Sequence, residues 1–386
     1  GHVATIIRFD TMAQSAPSSL PWFTELTDLV NENMGSKVVF ATDEWFAAAE
    51  NLIKNTEPIF ITDKFTTYGK WMDGWESRRK RTAGHDWCII ELGLPGEILG
   101  VKVDTLFFTG NQAPRFSLQA CEMPQSKAGI VERLKQERGG YGIGTCASKS
   151  TLHTAELLGS DKWTTLVEFT PLRPGYEGKS VHFFQIPDLF LNKKWTHVRV
   201  NSFPDGGIAR MRLFGTVKKD ISRWAKVMDL AAAENGGVAV ACSNAHYGKA
   251  ANLIALGRAT NMGEGWETAR KPNRPAVLTK GSNGLIDFKN ASDFCVLKLC
   301  CAGNIGEIEI DTNHFKGNFP ESCIVEGCYL KEKMTYQQET ALFLDSKRSD
   351  SSVRSNLQQR RSLSLSLSLS LSLSLSFFSA RMNVII

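Results

Sequence analysis

The sequence lacks the features that would place this chain in a membrane, outside the cell or on nucleic acid. No apolar run reaches transmembrane length, because the Ser-Leu repeat at 362–376 is half serine and too short. No secretory signal precedes the nine cysteines, an odd number, so we expect reduced thiols and a cytoplasmic protein. The net charge is only +5, and the basic run at 78–81 is too short to indicate nucleic-acid binding.

Metal-binding and phosphate-binding motifs are also missing. The cysteines at 300, 301, 323 and 328 do not follow a zinc-site spacing, so we expect buried structural thiols. The glycines at 140–144 have no strand–turn–helix context and no Lys-Ser/Thr ending, which indicates a loop and not a phosphate cradle. No long alternation of strands and helices appears, which argues against a doubly wound parallel sheet.

The chain does contain a long internal repeat. Asp86–Asn111 and Asp293–Asn318 align without a gap and share about ten identities in about 26 positions. Two upstream blocks recur in the same order, 40–53 as 241–254 and 74–79 as 265–270. Each unit therefore spans about 200 residues, which suits a whole domain and not a solenoid repeat.

The two copies are not equally complete. The first ends in two alternating segments, 195–200 and 208–214, which predict a closing hairpin around the turn at 203–207. The second copy shows no such hairpin, since its resemblance to the first fades near Met334. A sandwich without its closing strands exposes edges and core. We therefore expect an unstable second domain and little or no activity.

These observations predict four segments. We expect a flexible N-terminal extension at 1–30, with Met12 as a candidate start. The first repeat covers 31–220 and the truncated second repeat 230–335. Residues 336–386 form a divergent, disordered tail, whose Ser-Leu alternation is typical of a translated dinucleotide repeat.

Short runs of β-branched and aromatic residues predict an all-β fold. These runs are 37–42, 87–92, 98–108, 116–121, 165–170, 181–186 and the closing pair near 196–214. Helices are predicted only at 44–54, capped by Asp43, at 127–137 and at 149–158. Each unit is thus predicted to be an antiparallel sandwich of jelly-roll type, with the second one incomplete.

Polar residues at the turns between strands are the candidate site residues. For proton transfer they are Glu76, His85 and Asp86; for substrate binding they are Trp75, Arg78, Arg79, Thr109 and Asn111. Polar loops at one end of a rigid sandwich suit a site, and an arginine can hold a carboxylate bidentately.

A structural role is the alternative for the polar residues that both copies share, because Asp and Asn side chains often stabilise turns. Residues present in one copy discriminate better. The second copy has Ser292 in place of His85 and Ala269 in place of Arg78. His, Asp and Glu on these loops could also hold a divalent metal, although no spacing requires one.

Together these motifs resemble the allantoicase family from about Val38 to Cys328. The strings that carry the resemblance are GWESRR at Gly74–Arg79, GHDWCIIELG at Gly84–Gly93, VDTLFFTGN at Val103–Asn111 and FPDGGIARMRLFG at Phe203–Gly215. The resemblance implies two tandem jelly rolls of galactose-binding type. It also implies hydrolysis of allantoate to ureidoglycolate and urea in purine degradation.

The resemblance leaves other functions open. An arginine would anchor the substrate carboxylate, and an acid–base pair or a metal would help expel urea. A non-catalytic ligand-binding module on the same jelly rolls is the first alternative, and a structural or interaction protein is the second. A homo-oligomer is also left open.

Overall fold

The computed structural model describes residues 2–8, 20–139, 142–220, 227–271, 277, 279–282, 293–320, 322–330, 334–345, 365–368 and 384–385. The chain divides into two compact units. We call Pro21–Lys218 the first-repeat unit; Gly1–Leu20 and Lys219–Ile386 together form the second-repeat unit.

Strands dominate the described residues. In chain order they are β1 (His2–Arg8), β2 (Thr27–Asp28), β3 (Lys37–Ala41), β4 (Asp43–Glu44), β5 (Phe65–Thr66), β6 (Gly69–Lys70), β7 (Trp75–Glu76), β8 (Asp86–Asp104), β9 (Arg115–Cys121), β10 (Thr145–Cys146), β11 (Thr164–Pro171), β12 (Val181–Gln185), β13 (Trp195–Phe203), β14 (Gly207–Ile208), β15 (Arg210–Val217), β16 (Val227–Met228), β17 (Val238–Cys242), β18 (Cys295–Lys298), β19 (Ser322–Leu330), β20 (Leu365–Ser368) and β21 (Val384–Ile385).

Helices are short and few among the described residues. The α-helices are α1 (Ala128–Arg138), α2 (Lys149–Glu156) and α3 (Tyr336–Asp345). Single 3-10 turns lie at Trp22–Glu25, Glu32–Met34, Ala49–Ile53, Gln125–Lys127, Ser160–Lys162, Asp188–Phe190, Ala233–Asn235, Ala250–Ile254 and Met262–Glu264.

Strand β8 organises the first-repeat unit because it belongs to both layers of the sandwich. Its first half pairs with β3 and β13, and β13 continues through β9 to β11. Its second half pairs with β12 and β15, and β15 continues to β2. The change of partners falls near Gly96, where an added Cβ would lie 2.3 Å from the Thr216 carbonyl oxygen. Only glycine permits this close approach of the two strands.

The core lies between these two layers. Alternate residues of β8, β13 and β15 face it and are buried, among them Ile90, Val101, Val200, Met211 and Leu213. Each such side chain contributes roughly 1.5–3 kcal/mol on burial. A second cluster joins the opposite face of β3 and β8 to α1 and α2, through buried Phe40, Trp87, Ile89, Val131 and Leu134. This sheet is therefore covered on both faces, which explains the unbroken apolar run at 87–90.

The second-repeat unit repeats the first layer of this sandwich. Its sheet has the order β17-β18-β1-β19-β20, and its pairs are antiparallel. Helix α3 packs on β17: the Thr340 hydroxyl donates to the Val240 carbonyl at 2.9 Å, and Phe343 is buried beside Val240. Residues 302–312, which correspond to the second half of β8, are described but form no strand. Among the described residues, this unit therefore has a counterpart of the first layer but no strand that corresponds to the second half of β8. The predicted truncation of the second repeat stays a prediction.

The structure confirms the jelly-roll sandwich and most of its predicted strands, but one predicted helix is wrong. Residues 44–54 do not form a helix; β4 ends at Glu44 and a 3-10 turn spans Ala49–Ile53. The predicted flexible extension contains β1 and β2, and the predicted disordered tail contains α3, β20 and β21. The candidate start at Met12 lies outside the described residues. Within the described residues, no helix combines the length and apolarity needed to cross a membrane.

Candidate active site

The centre of the candidate site is Glu76, in the short strand β7. On one side the backbone of Ala47 forms a β-bridge with it, and on the other side β14 pairs with β7. Glu76 is 7% exposed. In β14, Gly207 lies opposite Glu76, and a Cβ there would come within 2.0 Å of the Phe108 ring. The closing hairpin of the first repeat thus helps to bury Glu76, and it needs a glycine to fit.

The carboxyl group of Glu76 accepts a hydrogen bond from a neutral amide. Asn111 Nδ2 donates to Glu76 Oε1 at 2.7 Å. Burial raises the pKa of Glu76 to about 7, and the bond from Asn111 opposes this shift only partly. At neutral pH the protonated and ionised forms therefore have comparable populations. Such a group can both donate and accept a proton.

A clamped arginine lies two residues further along the chain. Arg78 Nε and Nη2 approach Asp43 Oδ2 at 2.8 and 2.7 Å, and the Arg78 backbone N–H donates to Asp43 Oδ1 at 3.1 Å. The guanidinium also lies over the Trp45 ring, 4.4 Å from its centroid. Its side chain is 41% exposed, so the guanidinium is held in place but still reaches solvent. This arrangement suits an anion-binding group.

One loop, 43–47, holds both Glu76 and Arg78. The backbone N–H groups of Phe46 and Ala47 each donate to the Glu76 carbonyl at 3.3 Å, while Asp43 binds Arg78. Trp75 Nε1 donates to the Asp43 carbonyl at 2.9 Å. Because Trp75 is fully buried, it supports this loop from beneath and does not face solvent.

The remaining predicted substrate-binding residues lie in the open. Arg79 and Thr109 are exposed, as is Asn111, although Asn111 reaches the buried Glu76. The Asn111 carbonyl also accepts from the Gly207 N–H at 2.7 Å, which fixes its loop against the closing hairpin. The structure therefore brings Glu76, Asn111 and the loop that holds Arg78 together.

His85 and Asp86 make a separate set of contacts. His85 Nε2 lies 3.0 Å from Asn201 Oδ1, its ring is tilted against the Phe203 ring with centroids 4.2 Å apart, and burial lowers its pKa. Asp86 Oδ1 accepts from the Thr42 hydroxyl at 2.7 Å and pairs with Lys80 Nζ at 2.5 Å. These contacts lead into β13 and β3, whereas Glu76 contacts β14 and the turn at Asn111.

The second-repeat unit retains part of this arrangement. Asn318 Nδ2 donates to Glu267 Oε1 at 2.7 Å, as Asn111 does to Glu76. Glu267 is partly exposed where Glu76 is buried. The arginine clamp is absent from the described counterpart, because Asn244 and Ala269 occupy the positions of Asp43 and Arg78.

The two contacts of Asp86, with a hydroxyl group and with a lysine, are repeated more closely, and we call this pair of contacts the aspartate brace. In the second-repeat unit Asp293 Oδ1 accepts from the Ser243 hydroxyl at 2.7 Å and pairs with Lys271 Nζ at 2.6 Å. Both units therefore use this aspartate to tie the same strands together. That repetition favours a structural role for Asp86.

Sequence reasoning missed the residues that hold the site from a distance. The sequence predicts Asp43 as a helix cap and Trp45 as part of the apolar face of that helix, and it gives no signal for Asn201. The available signal was the paired replacement of Asp43 by Asn244 and of Arg78 by Ala269. Among the residues that the structure describes, no group of three or more His, Cys, Asp or Glu side chains is arranged to hold a metal ion.

The fold and the site define a tandem β-sandwich protein with a buried carboxyl group and, two residues further along the chain, an arginine held by an aspartate. The allantoicase repeat model matches residues 27–218 and 228–360. A probable allantoicase of Acinetobacter baumannii strain SDF is 39% identical over 305 residues, which cover 79% of this chain and 75% of that protein.

Solved structures agree with this comparison. The crystal structure of allantoicase from Saccharomyces cerevisiae is 32% identical, with a TM-score of 0.52, and the match covers 79% of this chain and 78% of that one. A second allantoicase structure, also 32% identical, has a TM-score of 0.53 and coverages of 80% and 78%. The chain belongs to the allantoicase family.

Proposed function

We propose that this protein hydrolyses allantoate to ureidoglycolate and urea, a step of purine degradation, and that the first-repeat unit carries the reaction. The observation that supports this assignment most directly is the buried Glu76 carboxyl, whose pKa of about 7 suits proton transfer at neutral pH. Membership of the allantoicase family supplies the substrate.

The substrate carries a carboxylate and two ureido groups on one carbon, and the site offers a group for each kind. Arg78, held by Asp43 and Trp45, binds the carboxylate with its solvent-facing N–H donors. Asn111 uses its Nδ2 on Glu76, so its Oδ1 is the atom that accepts from a ureido N–H. These contacts set the leaving ureido group beside Glu76.

Glu76 then serves as acid and as base. Its protonated carboxyl gives the proton to the nitrogen of the leaving ureido group, and the C–N bond pair goes to that nitrogen as urea departs. The lone pair of the remaining ureido nitrogen forms a C=N bond to the central carbon. Water adds to this carbon and returns a proton to the Glu76 carboxylate, which yields ureidoglycolate and restores the acid.

Other predicted residues have supporting roles in this proposal. Trp75 positions the 43–47 loop, and Arg79 and Thr109 lie at the exposed rim. The prediction that His85 and Asp86 transfer protons stays a prediction. The proposal here assigns proton transfer to Glu76 instead, because His85 and Asp86 contact other elements than Glu76 does and the contacts of Asp86 recur in the second-repeat unit. Participation of a divalent metal, a homo-oligomeric state and a cytoplasmic location also stay predictions.

Urea release from allantoate by the full chain tests the proposal. The truncated second repeat predicts little or no activity, whereas the site of the first-repeat unit predicts turnover. On this proposal we expect turnover that saturates with allantoate and falls by about 10²–10⁴ in Glu76→Gln. A raised melting temperature with allantoate but no urea release would instead indicate a ligand-binding module. If allantoate causes neither turnover nor a melting shift, both functions are contradicted and a structural protein is favoured.

A further inference from the structure

The sheets of the two units correspond strand by strand, but two positions are filled by unrelated segments. In the first-repeat unit the layer runs β3-β8-β13-β9-β11, and in the second-repeat unit it runs β17-β18-β1-β19-β20. Strands β17, β18 and β19 are the repeat counterparts of β3, β8 and β9. The N-terminal strand β1 therefore occupies the position of the closing strand β13.

The register of β1 shows that this correspondence extends to single residues. In the first-repeat unit Val200 of β13 lies opposite both Cys88 and Leu118. In the second-repeat unit Ile7 lies opposite both Cys295 and Val325. Cys88 and Cys295 are aligned positions of the repeat, and so are Leu118 and Val325. Ile7 thus occupies the position that Val200 occupies in the first-repeat unit. Its two neighbours are the repeat counterparts of those of Val200, and both pairings are antiparallel.

From this register we infer that the space between β18 and β19 is a strand-acceptor site, which the segment His2–Arg8 of the same chain fills. The partner that such a site recognises is an extended peptide, because pairing depends on backbone N–H and C=O groups along both edges. Backbone recognition tolerates a change of sequence. This explains how a segment outside the repeat can replace a strand of the repeat.

The insertion changes the expected stability of the second-repeat unit. Without a strand between them, β18 and β19 would present two unpaired edges, and such edges favour aggregation. Strand β1 pairs with β18 over Ala4–Ile7 and with β19 over His2–Arg8. The N-terminal segment therefore contributes to the fold of the second repeat, although the two are distant in sequence.

Cysteine crosslinking tests the inferred register in the full chain. The register places Ala4 opposite Cys328 and Ile7 opposite Cys295. Directly opposite residues have Cβ atoms about 4.5–5.5 Å apart, near the separation that a disulfide needs. We expect Ala4→Cys to form a disulfide with Cys328, and Ile7→Cys one with Cys295, after mild oxidation. Peptide mass mapping identifies the linked pairs.

Thr5→Cys is the matched control, because Thr5 lies opposite Leu297 and Gly327 and has no cysteine as its direct partner. We expect a yield at least about tenfold lower from this position. Either matched link within a monomer supports the inference. Absence of both links, equal linking from position 5, or links only in dimers on a non-reducing gel would overturn it. Dimeric links would assign the strand to a second copy.

Hydrogen exchange provides a second measurement that needs no disulfide. Ile6→Pro removes one backbone N–H from a strand with a neighbour on each side, so it breaks a ladder bond. We expect a loss of amide protection in Cys295–Lys298 and Ser322–Leu330, with β8 and β13 unchanged. Ala13→Pro, outside β1, is the control. Unchanged exchange in both segments would contradict the insertion.

Discussion

Replacing Glu76 by glutamine removes a buried acid while keeping its shape and its bond from Asn111. The folded state raises the pKa of Glu76 from 4.5 to about 7, so folding favours the protonated form. The stability that depends on this proton is complete below pH 4.5 and is lost as the pH rises through 7. The loss is about 3 kcal/mol, from 1.36 kcal/mol per pKa unit. Glutamine stays neutral, so the free energy of unfolding of Glu76→Gln does not fall in this pH range.

Two opposite effects of Glu76→Gln follow. Turnover of allantoate falls by about 10²–10⁴, the usual contribution of a general acid or base. The free energy of unfolding of the first-repeat unit at pH 8 rises by up to about 3 kcal/mol above wild type, and at pH 4 the two proteins agree. Urea release measures the first effect. Guanidinium unfolding at each pH, with amide exchange in β7 and β14, measures the second.

Glu267→Gln is the matched control, because Glu267 accepts the same 2.7 Å bond from an asparagine but is partly exposed. Its charge is solvated, so we expect little change in stability at pH 8 and turnover close to wild type. Turnover of Glu76→Gln within a factor of about ten of wild type would refute the acid–base role. Equal stability of Glu76→Gln and wild type at pH 8 would refute the inference that the buried Glu76 charge destabilises the folded state.

Four further substitutions separate binding from folding. Arg78→Ala raises KM for allantoate about 10- to 100-fold with a smaller change in kcat, measured by urea release, because a carboxylate contact is lost in ground and transition states alike. Asp86→Asn lowers the free energy of unfolding by about 1–3 kcal/mol, because Lys80 loses its charged partner. His85→Gln leaves kcat within about threefold of wild type. Arg138→Met destabilises by about 3–5 kcal/mol in guanidinium unfolding, since it leaves Glu44 buried without its cation. Loss of kcat in the His85 variant, or a stable Arg138 variant, would contradict these assignments.

Alternation of apolar and polar residues predicted most of the strands because each has one face on the core. The segments at 195–200 and 208–214 show this, since β13 contains the first and β15 contains the second from Arg210 onward. At 44–54 the local pattern predicts a helix, but the structure has the end of β4 and a 3-10 turn there. There Glu44 accepts from the Ala49 N–H at 2.7 Å and binds Arg138. The ion pair of Glu44 with the distant Arg138 favours an extended chain over the local helical pattern. The residues near Glu44 in the sequence do not indicate this pair.

The site was predictable in its residue types but not in its contacts. Glu76 and Asn111 stood out because they recur at turns in both copies, and the structure joins them. The partnership of Asp43 with Arg78 spans 35 residues, so it could be found only by comparing the copies. The pKa shift of Glu76 depends on burial, and the closing hairpin at 203–217 contributes to that burial from far along the chain.

Comparing the two units separates what the fold requires from what the reaction requires. The aspartate brace and the Glu–Asn bond occur in both, so neither alone distinguishes an active unit from an inactive one. The first-repeat unit adds β14, which covers Glu76, and the Asp43–Arg78 clamp. Burial moves the acid to a useful pKa, and the clamp supplies an anion contact. Because the described part of the second-repeat unit has neither, its Glu267 is a carboxylate without the setting that makes Glu76 reactive.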